Sequence, residues 1–181
     1  SHLLGTDAFQ ETDVVGISMP ITKWNCQVTK SADIPAAIAK AFYIAQSGRP
    51  GPVLIDITKD AQFGEMEYNY QKCTEIRSYR PKPKLNFAKV EEAASLINSA
   101  KKPYILIGQG IMLSNAEEEL LEFVEKSGLP VASTLLGLGA FPNNHPLYVG
   151  YLGMHGDYAP NIKTNECDVL IAVGMRFDDR V

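Results

Sequence analysis

Ala88 to Ser133 reads AKVEEAASLINSAKKPYILIGQGIMLSNAEEELLEFVEKSGLPVAS, and the two periods in it decide the fold. Helical spacing over Ala88 to Ser99 gives way to the β-branched run YILI at Tyr104 to Ile107. Helical spacing returns over Asn115 to Lys126, and a second short run, VAS, occupies Val131 to Ser133. Ser114 and Glu117 stand at capping-box spacing before the second helix, and Gly128 with Pro130 supplies its stop. Short apolar runs without polar alternation suit strands buried on both faces of a parallel sheet. Helix and strand in alternation predict an α/β fold with a doubly wound, mostly parallel sheet and right-handed crossovers.

The same alternation extends in both directions. Toward the carboxyl end come about thirty residues rich in glycine, including LLGLGAFPNNHPLYVGYLGMHGD, then a short helix over Ala159 to Thr164 and the strand DVLIAV at 168–173. Toward the amino end, residues 31–57 read as helix then strand. Pro35 suits a first turn, Ile38, Ala41, Phe42 and Ala45 recur at helical spacing, and Gly48 suits a left-handed terminus before VLIDI. Between about Thr58 and Leu85 periodicity dissolves, and the stretch ends in alternating prolines that favour extended chain. The expected organisation is one α/β domain part over 1–60, a linker over 61–85, and a second α/β domain over 86–181.

Composition bounds the function. The chain has 181 residues, 45% apolar and 21% charged, enough for one large domain or parts of two. A net charge of −4 and a pI near 5.4 without any basic stripe give no reason to expect nucleic acid or an anionic membrane as partner. The longest apolar runs fall short of the roughly 20 residues of a membrane span. Three cysteines, odd in number and far apart, argue for a reducing compartment over a disulfide framework. An opening SHLLGTD without initiator Met or leader pattern is expected of an internal piece of a longer polypeptide.

Ligands of doubly wound sheets sit beyond the carboxyl ends of the strands. Here those ends carry Thr58, Lys59 and Asp60; Gly108, Gln109 and Gly110; Thr134, Leu135 and Leu136; and GMRFDDR at 174–180. Glycines let backbone approach a phosphate or flat ring, arginines offer forked donors to a diphosphate, and aspartates accept from ribose hydroxyls. Together they predict nucleotide binding; each glycine alone is equally a turn residue. GQGIML and GLGAFP depart from GxGxxG, so the common NAD site is not expected, and no GxSxG supports a hydrolase. His2, His145 and His155 lack zinc-ligand spacing, and Glu117 to Glu119 read as a solvated helix face.

The segments GTDAFQETDVVGIS, ITKWNCQV, SGRPGPVLIDITKD, GQGI, LGAFP, HPLYVGYLGMHG and GMRFDDRV, in this order, resemble the large catalytic subunit of acetolactate synthase, also called acetohydroxyacid synthase. GRPGPV and the GQG turn recur in other thiamine diphosphate enzymes, whereas DAFQE, LGMHG and RFDDRV together are specific. Departures are modest: Trp24 and Asn25 follow Lys23, and Met175 precedes Arg176 where a smaller residue is common. The resemblance implies the end of a pyrimidine-binding domain, a linker and most of a Rossmann-like central domain that binds FAD. It implies decarboxylating condensation of pyruvate with pyruvate or 2-ketobutyrate in branched-chain amino acid biosynthesis, with thiamine diphosphate as electron sink. The activating glutamate and the magnesium and diphosphate motif would lie outside this segment, so the segment alone is expected to be inactive.

By the same resemblance the FAD contacts are Arg49, Gly108, Gln109, Gly110, Thr134, Leu135, Leu136, Leu152, Gly153, Met154, His155, Gly174, Met175, Arg176, Asp178, Arg180 and Val181. Phe9 and Gln10 match active-site positions, Lys59 a substrate-channel lysine, and Ala8, Lys59, Met154 and Asp179 the herbicide site. A homodimer or homotetramer with a small regulatory subunit is implied, in bacterial cytoplasm or a eukaryotic organelle. Related enzymes of the pyruvate oxidase or glyoxylate carboligase type, and a nucleotide-binding module without chemistry of its own, are the alternatives.

Overall fold

The computed structural model describes residues 5–6, 11–178 and 181. Phe9 and Gln10, together with Ala8, Asp179 and Arg180, lie outside the described residues. The chain divides into two compact units, Ser1–Lys84 and Leu85–Val181.

In the first unit, α1 (Val14–Ser18) precedes β1 (Trp24–Val28), α2 (Ile34–Gln46), β2 (Val53–Ile57) and α3 (Lys59–Phe63). The two strands pair in parallel, Trp24 opposite Val53 through Val28 opposite Ile57, and α2 crosses between them. Pro35 stands in the first turn of α2, and beyond its end Gly48 takes φ +59°, a conformation glycine adopts without steric cost. The buried face of α2 is Pro35, Ala39, Ala41 and Ile44. Phe42, expected on that face, is 62% exposed, because the helix meets the strands through its small residues. Neither β1 nor α3 was expected. WNCQV mixes polar and apolar residues, and its strand state follows from pairing with VLIDI. From Gly64 to Asn86 the backbone is irregular apart from a bridge between Ile76 and Tyr79.

The loop between α2 and β2 is held from outside. The Lys23 ammonium donates to the carbonyls of Ile44 (2.6 Å), Arg49 (2.9 Å) and Ser47, which accounts for all three of its protons. The Tyr79 hydroxyl donates to the Ser47 carbonyl as well, at 3.1 Å.

The second unit runs α4 (Phe87–Ser99), β3 (Pro103–Ile107), α5 (Gly110–Ser114), α6 (Glu117–Ser127), β4 (Val131–Ser133), β5 (Tyr148–Tyr151), α7 (Tyr158–Glu166) and β6 (Val169–Val173). Its sheet has the order β5-β4-β3-β6 with every pair parallel. The parallel sheet with interleaved helices is the α/β architecture the alternation predicts.

β3 lies inside the sheet, and Tyr104 through Ile107 are 0–1% exposed. Its side chains alternate between two cores. Ile105 and Ile107 join Ile111, Leu120, Val124, Val131 and Phe141 on one face, and Tyr104 and Leu106 join Ala132 and Leu152 on the other. Each fully buried aliphatic side chain of this kind contributes about 1.5–3 kcal/mol. Burial also pushes the Tyr104 phenol well above its usual range, and its hydroxyl donates to the Pro160 carbonyl at 3.4 Å.

One helix start differs from expectation. Ser114 does not cap the helix at Glu117: its hydroxyl donates back to the Gly110 carbonyl at 2.7 Å and closes α5. Asn115 then takes a left-handed conformation, φ +50°, and α6 begins only at Glu117 without a side-chain cap. A short helix thus fills the space directly beyond β3, where a plain loop was expected. Further on, β5 emerges inside the glycine-rich stretch, α7 is longer at both ends than expected, and Asp168 precedes β6 rather than opening it. The Asp168 carboxylate accepts the N–H groups of Lys101 (2.6 Å) and Lys102 (2.8 Å), tying the start of β6 to the turn that enters β3. The Lys101 bond, with the other backbone donors, holds its pKa below the usual carboxylate range.

Candidate functional site

The carboxyl end of the second sheet is built by four loops: 108–110 after β3, 134–137 after β4, 152–156 after β5 and 174–178 after β6. They interlock through backbone. Gly108 N–H donates to Val173 O (3.0 Å), Gly110 N–H to Gly174 O (2.7 Å), Thr134 N–H to Ile107 O (2.8 Å) and Leu152 N–H to Ser133 O (2.8 Å). Each loop thereby continues the ladder of its strand for another bond.

The glycines serve this interlock first. A Cβ on Gly108 would meet Gly174 O and Met175 Cα at 2.6 Å, and one on Gly110 would meet Gly174 Cα at 2.6 Å. Gly174, at φ +64°, has Ile111 N only 2.7 Å from where its own Cβ would be. The expectation that these glycines bring backbone to a ligand is therefore refined: they bring the strand-end loops to each other, and the surface so formed is what a ligand would meet. Gly137, absent from the expected set, belongs to the same contact, since its Cβ would meet Ile107 O at 2.7 Å. The signal for it was present in LLGLG, where two glycines shared one apparent turn.

The side chains sort into two groups. Leu152 and Thr134 are buried, and Met175 packs half-buried against the Tyr104–Leu106 core, so they offer a ligand mainly backbone. Gln109, Leu135, Leu136, Met154, His155 and Arg176 are exposed, with Leu135, Leu136 and Met154 between 61% and 67% exposed. Arg176 and Asp178 form an ion pair at 3.6 Å, and Val181 is exposed. Apolar side chains, a guanidinium and a carboxylate are thus presented on one end of one sheet.

The loop after β5 has its own frame. Tyr151 N–H donates to Asp157 Oδ2 (3.1 Å), Asp157 N–H to Tyr151 O (2.9 Å), and the Tyr151 hydroxyl to the His155 carbonyl. Asn161, on α7, clips Gly153 from both sides: Oδ1 accepts its N–H at 3.5 Å, and Nδ2 donates to its carbonyl at 3.4 Å and to Asp157 O at 2.9 Å. Sequence reasoning missed Asp157 and Asn161. An aspartate before a helix reads as an N-cap, yet this carboxylate caps nothing and serves Tyr151 instead.

Lys59 and Arg49 belong to the first unit and lie at opposite ends of β2. Lys59 is the exposed first residue of α3 at the carboxyl end, after Thr58, whose N–H donates to Val28 O at 3.0 Å. Arg49 stands on the loop entering β2 at the amino end, its carbonyl taken by Lys23. Five strand residues, about 16 Å at 3.3 Å per residue, separate the two ends.

Residues 90–181 match the family described as thiamine pyrophosphate enzyme, central domain. Over all 181 residues the chain is 48% identical to an acetolactate synthase large subunit of Corynebacterium glutamicum, of which it covers 29%. It is 42% identical to an acetolactate synthase large subunit of Haemophilus influenzae, with 99% of the chain and 32% of the relative covered. The chain thus spans under a third of these relatives. Among solved structures, a protein described as a thiamin diphosphate-dependent enzyme from Mycobacterium smegmatis superposes with a TM-score of 0.74 at 27% identity, covering 94% of this chain and 32% of that one. With its interlocked strand-end loops and these matches, the chain belongs to the thiamine pyrophosphate enzymes, carries their central domain at 90–181, and is similar along its whole length to acetolactate synthase large subunits.

Proposed function

We propose that this chain is part of the catalytic subunit of an acetolactate synthase, which condenses pyruvate with pyruvate or 2-ketobutyrate, releases carbon dioxide, and so feeds branched-chain amino acid biosynthesis. The observation that carries this reading is identity of nearly one residue in two over the full chain, through both units and the stretch between them.

The second unit fits a flavin. Leu135, Leu136 and Met154 offer an apolar surface to a flat ring, Arg176 offers forked donors to a diphosphate, and Asp178 offers an acceptor to sugar hydroxyls. Gly108, Gly110 and Gly174 keep the floor at backbone height. Arg49, Gly153, His155, Arg180 and Val181 complete the flavin set on the strength of the resemblance. FAD held here has a largely structural role. Thiamine diphosphate, with Mg2+, supplies the electron sink for decarboxylation and carbon–carbon bond formation. Lys59, exposed at a strand end, binds and orients the 2-keto acid carboxylate, and Phe9 and Gln10 are assigned to the active site by the resemblance alone.

The full-length protein is expected to be a homodimer or homotetramer that binds a small regulatory subunit, in bacterial cytoplasm or a eukaryotic organelle. The deciding experiment assays the purified full-length protein for acetolactate from pyruvate with and without thiamine diphosphate and Mg2+. Cofactor-dependent acetolactate supports the reading. Oxygen consumption with acetyl phosphate or acetate as product would instead place the protein with the oxidases.

A further inference from the structure

The loop that carries Met154 and His155 is over-determined by two side chains, Asp157 and Asn161, that are outside the set of expected ligand contacts. Three glycines at intervals of three, Gly150, Gly153 and Gly156, allow its shape. Gly150 (φ +108°) has Asp157 Oδ2 only 2.3 Å from where its Cβ would be, Gly153 takes φ +129°, and a Cβ on Gly156 would meet Tyr151 O at 2.6 Å. Backbone this tightly folded persists only where surrounding groups hold it.

We infer that Asp157 and Asn161 are positioning residues of the flavin site: they lock the 152–156 loop so that Met154 and His155 face outward at the carboxyl end of the sheet. The Asp157 carboxylate accepts the Tyr151 N–H, and its own N–H returns to the Tyr151 carbonyl, closing the base of the loop as a two-bond ring. The Tyr151 hydroxyl reaches across to the His155 carbonyl and fixes the far side. Asn161 holds Gly153 by both its donor and its acceptor, which ties the loop to the first turn of α7. These bonds take up where the ladder ends, because the last sheet bond of this segment is Leu152 N–H to Ser133 O and within the loop Gly153 O otherwise accepts only Gly156 N–H. A pre-formed loop spares the ligand the ordering cost at binding, and this is how residues without ligand contact raise affinity.

The inference rests on the flavin reading above, and its test separates the two. In the full-length protein, Asp157→Ala, Asp157→Asn, Asn161→Leu and the unsubstituted chain are compared by FAD titration, followed by flavin fluorescence, and by amide exchange of the FAD-free protein. Asp157→Ala and Asn161→Leu are expected to weaken FAD binding by about tenfold, the loss of a pre-organising hydrogen bond or two. The amides of Tyr151 and Asp157 should exchange at least about tenfold faster in Asp157→Ala, while the β3 amides keep their protection. Asp157→Asn retains an acceptor oxygen and should bind FAD within about twofold of the unsubstituted chain. FAD affinity unchanged in both Asp157→Ala and Asn161→Leu would overturn the inference and leave the flavin reading standing. Equal loss in Asp157→Asn and Asp157→Ala would overturn it too, since charge rather than the hydrogen bond would then be the cause. Global loss of protection in Asp157→Ala shifts judgement to Asn161→Leu, where unchanged affinity counts against the inference. An unsubstituted chain that binds no FAD sinks both.

Discussion

β3 and β2 are both five-residue parallel strands of similar composition, PYILI against VLIDI, yet they live in different surroundings. β3 has a strand on each side and a core on each face, and four of its residues are 0–1% exposed. β2 pairs with β1 alone among the described residues, and within this stretch of 181 residues all five of its residues are half-buried. Parallel strands gain their stability from cover on both faces. A β-branched run therefore reports that a strand forms, and its neighbours set how much that strand contributes.

The comparison can be broken in order of expected effect. In the 181-residue chain taken by itself, Ile105→Ala should cost about 2–5 kcal/mol, because its cavity opens in a closed core, whereas Ile55→Ala in half-exposed β2 should cost less than half of that. Urea unfolding followed by far-UV circular dichroism and by Trp24, the single tryptophan and a member of the first unit, reads both. Equal costs would show that the two strands are equally enclosed in solution.

Gly174→Ala and Gly128→Ala sharpen the same contrast within the second unit. Both glycines have positive φ, +64° and +66°, but a Cβ on Gly128 meets nothing within 4 Å while one on Gly174 meets backbone at 2.7 Å. Gly128→Ala should cost about 1 kcal/mol, the conformational term alone. Gly174→Ala adds overpacking of about 1–3 kcal/mol and, on the proposed flavin reading, should also weaken FAD binding. Similar melting points for the two variants would show that the strand-end loops can move apart.

The two ends of β2 invite a kinetic test in the full-length enzyme. On the proposed function, Lys59→Gln should raise the KM for pyruvate by about tenfold and leave any bound flavin unchanged, as loss of a charge-assisted contact to a carboxylate would. Arg49→Gln should do the reverse. The opposite pattern would reassign the ends.

The smallest effect concerns pH. The Asp168 carboxyl has its pKa lowered by backbone donors, chiefly Lys101 N–H. A depressed folded-state value means that its contribution is present above the ordinary carboxylate pKa of about 3.9 and is lost as pH falls through the folded value. Asp168→Asn should lower the melting point slightly at neutral pH and flatten its fall below about pH 4. An unchanged acid limb would show that other carboxylates dominate it.

Much of this was legible in the chain. α4, β3, α6 and β4, the α2–β2 pair and the parallel sheet follow from period and punctuation, whereas α5 between β3 and α6 does not. WNCQV and YVGY were not legible as strands, since their state comes from register with a partner. Ser114 was misread because a hydroxyl before a helix and one at the end of a shorter helix look alike in sequence, and the Gly110 carbonyl decided between them. Asp157 was hidden for a similar reason: its acceptor role depends on Tyr151, six residues back, folding under it.

By itself the sequence determined the α/β alternation and the family, because both are written in local period and in the order of short motifs. Only the tertiary structure decided what the glycines at the strand ends pack against. Their partners, Gly108 and Gly110 with Gly174, are more than sixty residues apart in the chain and meet, Gly110 N–H on Gly174 O at 2.7 Å, only once β3 and β6 are paired, a contact no local pattern encodes.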